Sequence, residues 1–230
     1  MLLFFLACLT SGEVSKSGEI ELHISGGSIY ACHDVSEASQ ESSLKLATTL
    51  EGEVIGHGSG NYFKMGSHRF ILTAAHVVTT EYDLRVLDGD KMIETTLVFV
   101  DIERDIAILV PKEDLETVKP RRWRVNDDTP VGEIVSYSGY PAGLGKVLIR
   151  GMVSAPSEDG FIMQSFALPG SSGSVVFDNR GRVLGVVSAV MLNHSGLSPF
   201  PNLEENVVYV SSAGYMDSKF IREVLRCGIK

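Results

Sequence analysis

From Gly18 onward, short runs of β-branched and aromatic residues alternate with turn residues, and almost no stretch keeps a 3.6-residue hydrophobic period. That pattern predicts an all-β fold. Ile20 to His33 predicts a hairpin turning at Gly26-Gly27, and residues 34–43, DVSEASQESS, which lack a large apolar side chain, predict a tether. Strands are predicted at 44–50, 52–57, 60–65, 69–74, 83–87, 92–101 and 105–110. The stretch 111–124 interrupts the rhythm with two prolines and mixed charge. A second series follows at 131–138, 145–154, 160–165, 174–177, 182–190 and 206–211. Only Tyr215 to Arg226 has helical spacing, with Met216, Phe220, Ile221, Val224 and Leu225 on one face and Asp217 near its start. The organisation expected is a hydrophobic N-terminus (1–17), a hairpin and tether (18–43), a first β subdomain (44–118), a linker (119–130), a second β subdomain (131–212) and a C-terminal helix (213–230).

Composition narrows the function. The 230 residues are 44% hydrophobic and 21% charged, enough to bury a sizeable core. Twenty Lys and Arg against 29 Asp and Glu leave a net charge of -9, which argues against nucleic acid as a partner. The basic cluster Lys119, Arg121, Arg122 and Arg124 around Trp123 reads as a solvated linker. Cys8, Cys32 and Cys227 are far apart in the chain, so neither a zinc ribbon nor a redox pair is expected. No metal or organic cofactor is expected. Residues 1–9, MLLFFLACL, are too short to span a bilayer, which takes roughly 20 residues. They read as a short signal core, as the last turns of a membrane segment of a longer precursor, or as a frayed apolar terminus. Membrane contact is expected only through them.

Three segments place a reactive side chain beside residues that would fix it. In Ile71 to Val78, ILTAAHVV, a hydrophobic strand runs through two alanines into His76. In Asp105 to Val110, DIAILV, an acid opens an apolar strand, where a carboxylate without a partner would be costly. In Pro169 to Phe177, PGSSGSVVF, glycines flank a serine pair and let N–H groups converge on one spot. A serine hydroxyl needs a base in hydrogen-bond reach, and the base needs a third group to fix its tautomer. His76, Asp105 and Ser172 supply one of each. Asp101 is the rival acid, and Asp105 is preferred because the apolar run starts directly after it. The order His, Asp, Ser excludes the α/β-hydrolase and subtilisin arrangements. His23, His33, His57, His68 and His194 lack a partner pattern and read as surface or turn residues.

With 29 residues from His76 to Asp105 and 67 from Asp105 to Ser172, LTAAHVV, DIAIL and GSSGS together resemble the chymotrypsin-like (trypsin-like) serine proteases over roughly residues 44–212. Gly56-His57-Gly58-Ser59-Gly60 is similar to the G-x-G-S-G of the HtrA-type and glutamyl-endopeptidase-type branches. Tyr140-Pro141 and Gly151-Met152-Val153-Ser154 are similar to their second-barrel segment. Val77 stands where the animal digestive enzymes carry a disulfide cysteine, and Ser171 replaces the aspartate that receives their new N-terminus, so that route of activation is not expected. After the terminal helix only residues 227–230 remain, so no PDZ domain is expected.

The resemblance implies two packed six-stranded β-barrels with a C-terminal helix. It implies a serine endopeptidase acting on protein or peptide substrates, with Ser172 as nucleophile, His76 as base, Asp105 as orienting acid and the N–H groups of Gly170 and Ser172 as the oxyanion site. It maps the substrate pocket to Phe166 at its base and Val187-Ser188-Ala189 along its wall, which suits a small or medium uncharged residue before the cut. A catalytically silent barrel pair used for binding is the alternative. A signal core at 1–9 would mean a secreted or periplasmic protein, and otherwise the resemblance fits a protease cut from a viral polyprotein.

Overall fold

A computed structural model describes residues 23–24, 27–28, 30–78, 82–193 and 202–228. The expectations for residues 1–17 and for His194 lie outside them. The described chain opens with a two-residue ladder, β1 (His23–Ile24) against β2 (Gly27–Ser28), and continues into helix α1 (Tyr30–Ser42). Six strands then follow: β3 (Ser43–Leu50), β4 (Glu53–Met65), β5 (His68–Thr73), β6 (Asp83–Asp88), β7 (Lys91–Asp101) and β8 (Ile106–Pro111). They pair in the order β3-β6-β7-β8-β5-β4, and β4 pairs back with β3 to close a first antiparallel barrel. A short strand, β9 (Arg121–Arg122), lies parallel to β4 in the connection between barrels.

The second barrel is built from β10 (Ile134–Gly139), β11 (Val147–Ser157), β12 (Gly160–Gln164), β13 (Val175–Phe177), β14 (Val183–Asn193) and β15 (Asn202–Ser212). It closes in the order β10-β11-β12-β15-β14-β13. Helix α2 (Ser218–Gly228) ends the described chain. Asp217 caps it, its Oδ1 accepting from Lys219 N (2.9 Å) and Phe220 N (2.7 Å). No helix among the described residues is long and apolar enough to cross a membrane.

Strand alternation explains why several strands read as unbroken apolar runs. In a strand, successive side chains point to opposite faces. Tyr62 and Ile71 belong to the first barrel's interior, whereas their neighbours Phe63, Phe70 and Leu72 face outward into a shared core between the barrels. Ile106 and Ile108 join that shared core while Leu109 turns inward, and in β13 Val176 enters the second barrel while Val175 and Phe177 face the first. Both faces of β5, β8 and β13 are therefore buried.

Three sequence expectations change. Residues 34–43 are not a tether: α1 covers Tyr30–Ser42, packing through small polar side chains in place of an apolar stripe. Ser39 and Ser42 are fully buried, Ser39 Oγ donating to Ser138 Oγ (3.1 Å) and Asn61 Nδ2 donating to Ser42 Oγ (3.0 Å). Predicted strands 52–57 and 60–65 are one strand, because β4 is laddered to β3 through its first part and to β5 through its last, which carries it across its glycines. Trp123 is not part of a solvated linker. It is 4% exposed, packs edge-on against Phe63 with centroids 5.0 Å apart, and donates Nε1–H to Met216 O (3.0 Å).

Trp123 thus joins the first barrel to the segment that leads into α2. Replacing it (Trp123→Ala) would open a cavity in the shared core and leave the Met216 carbonyl without a donor, lowering stability by about 3–5 kcal/mol. Urea denaturation at neutral pH checks this, and a loss below about 1 kcal/mol would contradict the packing role.

Candidate active site

β5 ends at Thr73, and the chain passes through Ala74 into a 3-10 turn, Ala75–Val77, that carries His76. Ala74 and Ala75 are both buried, so only small side chains fit where the turn leaves the barrel. Asp105 is the last residue of the turn joining β7 to β8 and has φ 52°, a left-handed conformation that aspartate tolerates better than most residues. That backbone aims both carboxylate oxygens at His76. Oδ1 accepts the His76 backbone N–H at 2.8 Å, and Oδ2 lies 2.8 Å from the ring Nδ1.

The Ser188 hydroxyl also donates to Asp105 Oδ2. Burial disfavours the charged carboxylate. The hydrogen bonds from the His76 ring, Ser188 and the His76 backbone, together with the charge on His76, outweigh it and hold the Asp105 carboxyl below its ordinary value. A neutral imidazole bound in this way keeps its proton on Nδ1 and leaves Nε2 as an acceptor. Asp101 is engaged elsewhere. Its carboxylate accepts from Arg104 N (3.0 Å), Arg104 Nη1 (3.3 Å) and Tyr215 Oη (3.3 Å).

Three serines lie in the segment 171–174, and their surroundings differ. Ser171 and Ser174 are buried, and Ser171 Oγ accepts from Leu168 N (3.2 Å). Ser172 is partly exposed and lines, with His76 and Gly170, one cleft of about 280 Å³. The rest of that cleft is formed mainly by Thr48, Ile55, His57, Val77 and Tyr82. His57, read as a surface or turn residue, is exposed but sits on this wall. Its place inside G-x-G-S-G was the only signal in the sequence that could have marked it.

The backbone of this segment is held one peptide at a time. Pro169 O accepts from Ala142 N (2.6 Å), Gly170 O from Ser59 Oγ (2.7 Å), Ser171 O from Ser174 N (3.0 Å) and Ser172 O from Ser59 N (2.8 Å). Ser171 N donates to Leu168 O (2.8 Å) and Gly173 N to Val187 O (2.8 Å). Among the described residues, the N–H groups of Gly170 and Ser172 have no acceptor in the chain. Gly170 and Gly173 have φ 95° and 87°, which disfavours any other residue. A Cβ on Gly173 would also lie 2.0 Å from Ser59 O.

The residues mapped to a substrate pocket are spread more widely. Phe166 is half exposed, and its carbonyl accepts from the Tyr137 hydroxyl. Val187 is buried in the second barrel's core, Ser188 is bound to Asp105, and Ala189 in β14 lies opposite Tyr209 of β15. Phe166, Val187 and Ser188 are not among the residues that line the cleft around His76 and Ser172. The Ser188 contact was missed from sequence, where the residue appeared only as pocket wall. Among the described residues, no group of three or more His, Cys, Asp or Glu side chains is arranged to hold a metal ion.

Residues 58–186 match the trypsin-like peptidase domain family, and the chain belongs to that family. It is 33% identical over 147 residues to a probable periplasmic serine endoprotease, DegP-like, of Pseudomonas fulva, covering 60% of this chain and 30% of that protein. It is 28% identical over 157 residues to Protease Do-like 1, chloroplastic, of Arabidopsis thaliana, covering 63% and 36%. The chain thus spans about a third of the length of these curated relatives. Among solved structures, the serine endoprotease from Yersinia pestis superposes with a TM-score of 0.65 at 18% identity, over 85% of this chain and 67% of that one. A protease of M. tuberculosis in its active form gives 0.63 at 22% identity, over 84% and 83%. These two likenesses establish the double-barrel fold.

Proposed function

We propose that the chain is a serine endopeptidase that cuts protein or peptide substrates through an acyl-enzyme. Ser172 Oγ attacks the scissile carbonyl while His76 Nε2 takes its proton. His76 then gives that proton to the leaving amine, and water admitted to the site repeats the sequence to release the acid. Asp105 holds the imidazole in the tautomer this requires and stabilises the imidazolium. The oxyanion is received by the N–H groups of Gly170 and Ser172. The observation that carries this reading is the pairing of His76 with both oxygens of Asp105 in the cleft that also exposes Ser172, while the neighbouring serines are buried. The two N–H groups without an acceptor support the oxyanion assignment, since a donor aimed at a developing charge is worth about 10²–10³ in rate.

The residue before the cut is proposed to be small or medium and uncharged. Phe166 brings no charge to select Arg or Lys. Apolar contacts discriminate by only about 1–3 kcal/mol per methylene, so the preference is modest. Cleavage profiling on a peptide library checks this, and dominant cutting after Arg, Lys or Glu would contradict it.

Ser172→Ala and His76→Ala are each expected to lower turnover by roughly 10⁶-fold, and Asp105→Ala by roughly 10⁴-fold, with the fold retained. Asp101→Ala should leave turnover within about threefold. Residual activity of Ser172→Ala within tenfold of the parent would overturn the assignment. A damaging Asp101→Ala beside a harmless Asp105→Ala would move the acid.

The pH dependence follows from the same geometry. With its carboxyl held below the ordinary value, Asp105 is already ionised in mildly acidic solution. Protonation of Asp105 is therefore expected to limit turnover only below the ordinary carboxylate range, and a loss of turnover traced to Asp105 above that range would contradict the assignment. Stability has the matching sign, since Asp105 contributes fully above the ordinary carboxylate range and the contribution is lost as pH falls through its depressed folded value.

A further inference from the structure

Ser59 lies in β4 of the first barrel, yet most of its hydrogen bonds cross to the second. It is fully buried. Its N–H donates to Ser172 O (2.8 Å) and its carbonyl accepts from Thr73 Oγ1 (2.7 Å). Its hydroxyl donates to Gly170 O (2.7 Å) and accepts from Tyr140 N (2.9 Å). With Tyr140 N–H on a lone pair of the oxygen, the single hydroxyl proton is directed at Gly170 O.

This bond falls on the peptide that lies between the two carrying the N–H groups assigned to the oxyanion. Gly170 has no Cβ, so its own sterics do not select one orientation of the Gly170–Ser171 peptide. A rotation there would swing the Gly170 carbonyl together with the Ser171 N–H and strain the peptides on either side, which carry the N–H groups assigned above to the oxyanion. The Ser59 hydroxyl holds the carbonyl on the near side of that rotation, and the Ser59 N–H holds the Ser172 carbonyl on the far side. We infer that Ser59 is a positioning residue for the oxyanion site, fixing from the first barrel the peptide that follows each of the two whose N–H groups receive charge in the second. The inference rests on the proposed serine-protease reading and assigns a task to the serine of G-x-G-S-G. A merely structural serine at the seam is also present for comparison: Ser43 Oγ, buried, donates to Ser138 O (2.9 Å).

The experiment reacts the whole chain and its variants with a fluorophosphonate probe. Ser172 Oγ forms the P–O bond, fluoride leaves as the P–F bond breaks, the serine proton passes to His76, and the phosphoryl oxygen occupies the oxyanion site. The final extent of labelling counts competent sites, and the second-order rate constant reports oxyanion stabilisation. Ser59→Ala is expected to reach the parent's extent about 10²-fold more slowly, with the pH midpoint of labelling unchanged. Ser43→Ala should label within about twofold of the parent rate. Should Ser59→Ala fail to fold, Ser59→Cys, nearly isosteric and a weak donor, is expected to label at least tenfold more slowly.

A Ser59 variant that labels at the parent rate overturns the inference. So does a reduced extent at an unchanged rate constant, or slowing that Ser43→Ala reproduces. A parent chain that does not label at all removes the proposed function and this inference together, whereas a labelling parent with an unaffected Ser59 variant removes this inference alone.

Discussion

The segment of this protein that carries Ser172 belongs to the second barrel but is held in part by the first. Every carbonyl from Pro169 to Ser172 is claimed by a donor, and two of the four are claimed by Ser59, a residue 111 positions from Gly170 in the chain. A glycine-rich loop left to itself would sample many peptide orientations. Held at its carbonyls, the loop presents the Gly170 and Ser172 N–H groups, which have no acceptor among the described residues. The proposed oxyanion site is what remains when every carbonyl around it is satisfied.

Such a loop needs two barrels that do not shift against each other, which the shared core provides. Strands β5, β8 and β13 are buried on both faces, and the residues they turn outward, Phe70, Leu72, Ile106, Ile108, Val175 and Phe177, meet Trp123 and α2 in one cluster. His76 follows β5, Asp105 precedes β8 and Ser172 precedes β13. Each candidate catalytic group therefore sits at the end of a strand anchored in that cluster. The same packing that stabilises the seam sets the geometry of the cleft.

This also explains what could be read from the sequence. His76, Asp105 and Ser172 could be picked out as candidates because each lies next to a doubly buried strand, whose continuous apolar run is a local signal. The terminal helix was legible from its apolar face. Helix α1 was not, because it docks through Ser39 and Ser42 onto Asn61 and Ser138, and a polar helix held by distant partners has no hydrophobic period. Trp123 was hidden by the charges beside it. Arg121 carries its own charge inward, stacking on Phe177 with 5.1 Å from guanidinium to ring and donating to Gly181 O. Ser188 and Ser59 make contacts that only the closed barrels create, so their places in the mapped pocket wall and in G-x-G-S-G did not reveal those partners.

The central claim is that the held carbonyls leave the Gly170 and Ser172 N–H groups as the receptors of the reacting oxygen. A crystal structure of the chain with a peptidyl boronic acid tests it most directly, because the tetrahedral boronate reproduces the charge and shape of the acyl-transfer intermediate. The expected result is boron bonded to Ser172 Oγ, with one boronate oxygen 2.7–3.1 Å from both N–H groups and Ser59 Oγ still on Gly170 O. Boron on another side chain, or a boronate oxygen turned away from those two donors, would contradict the account.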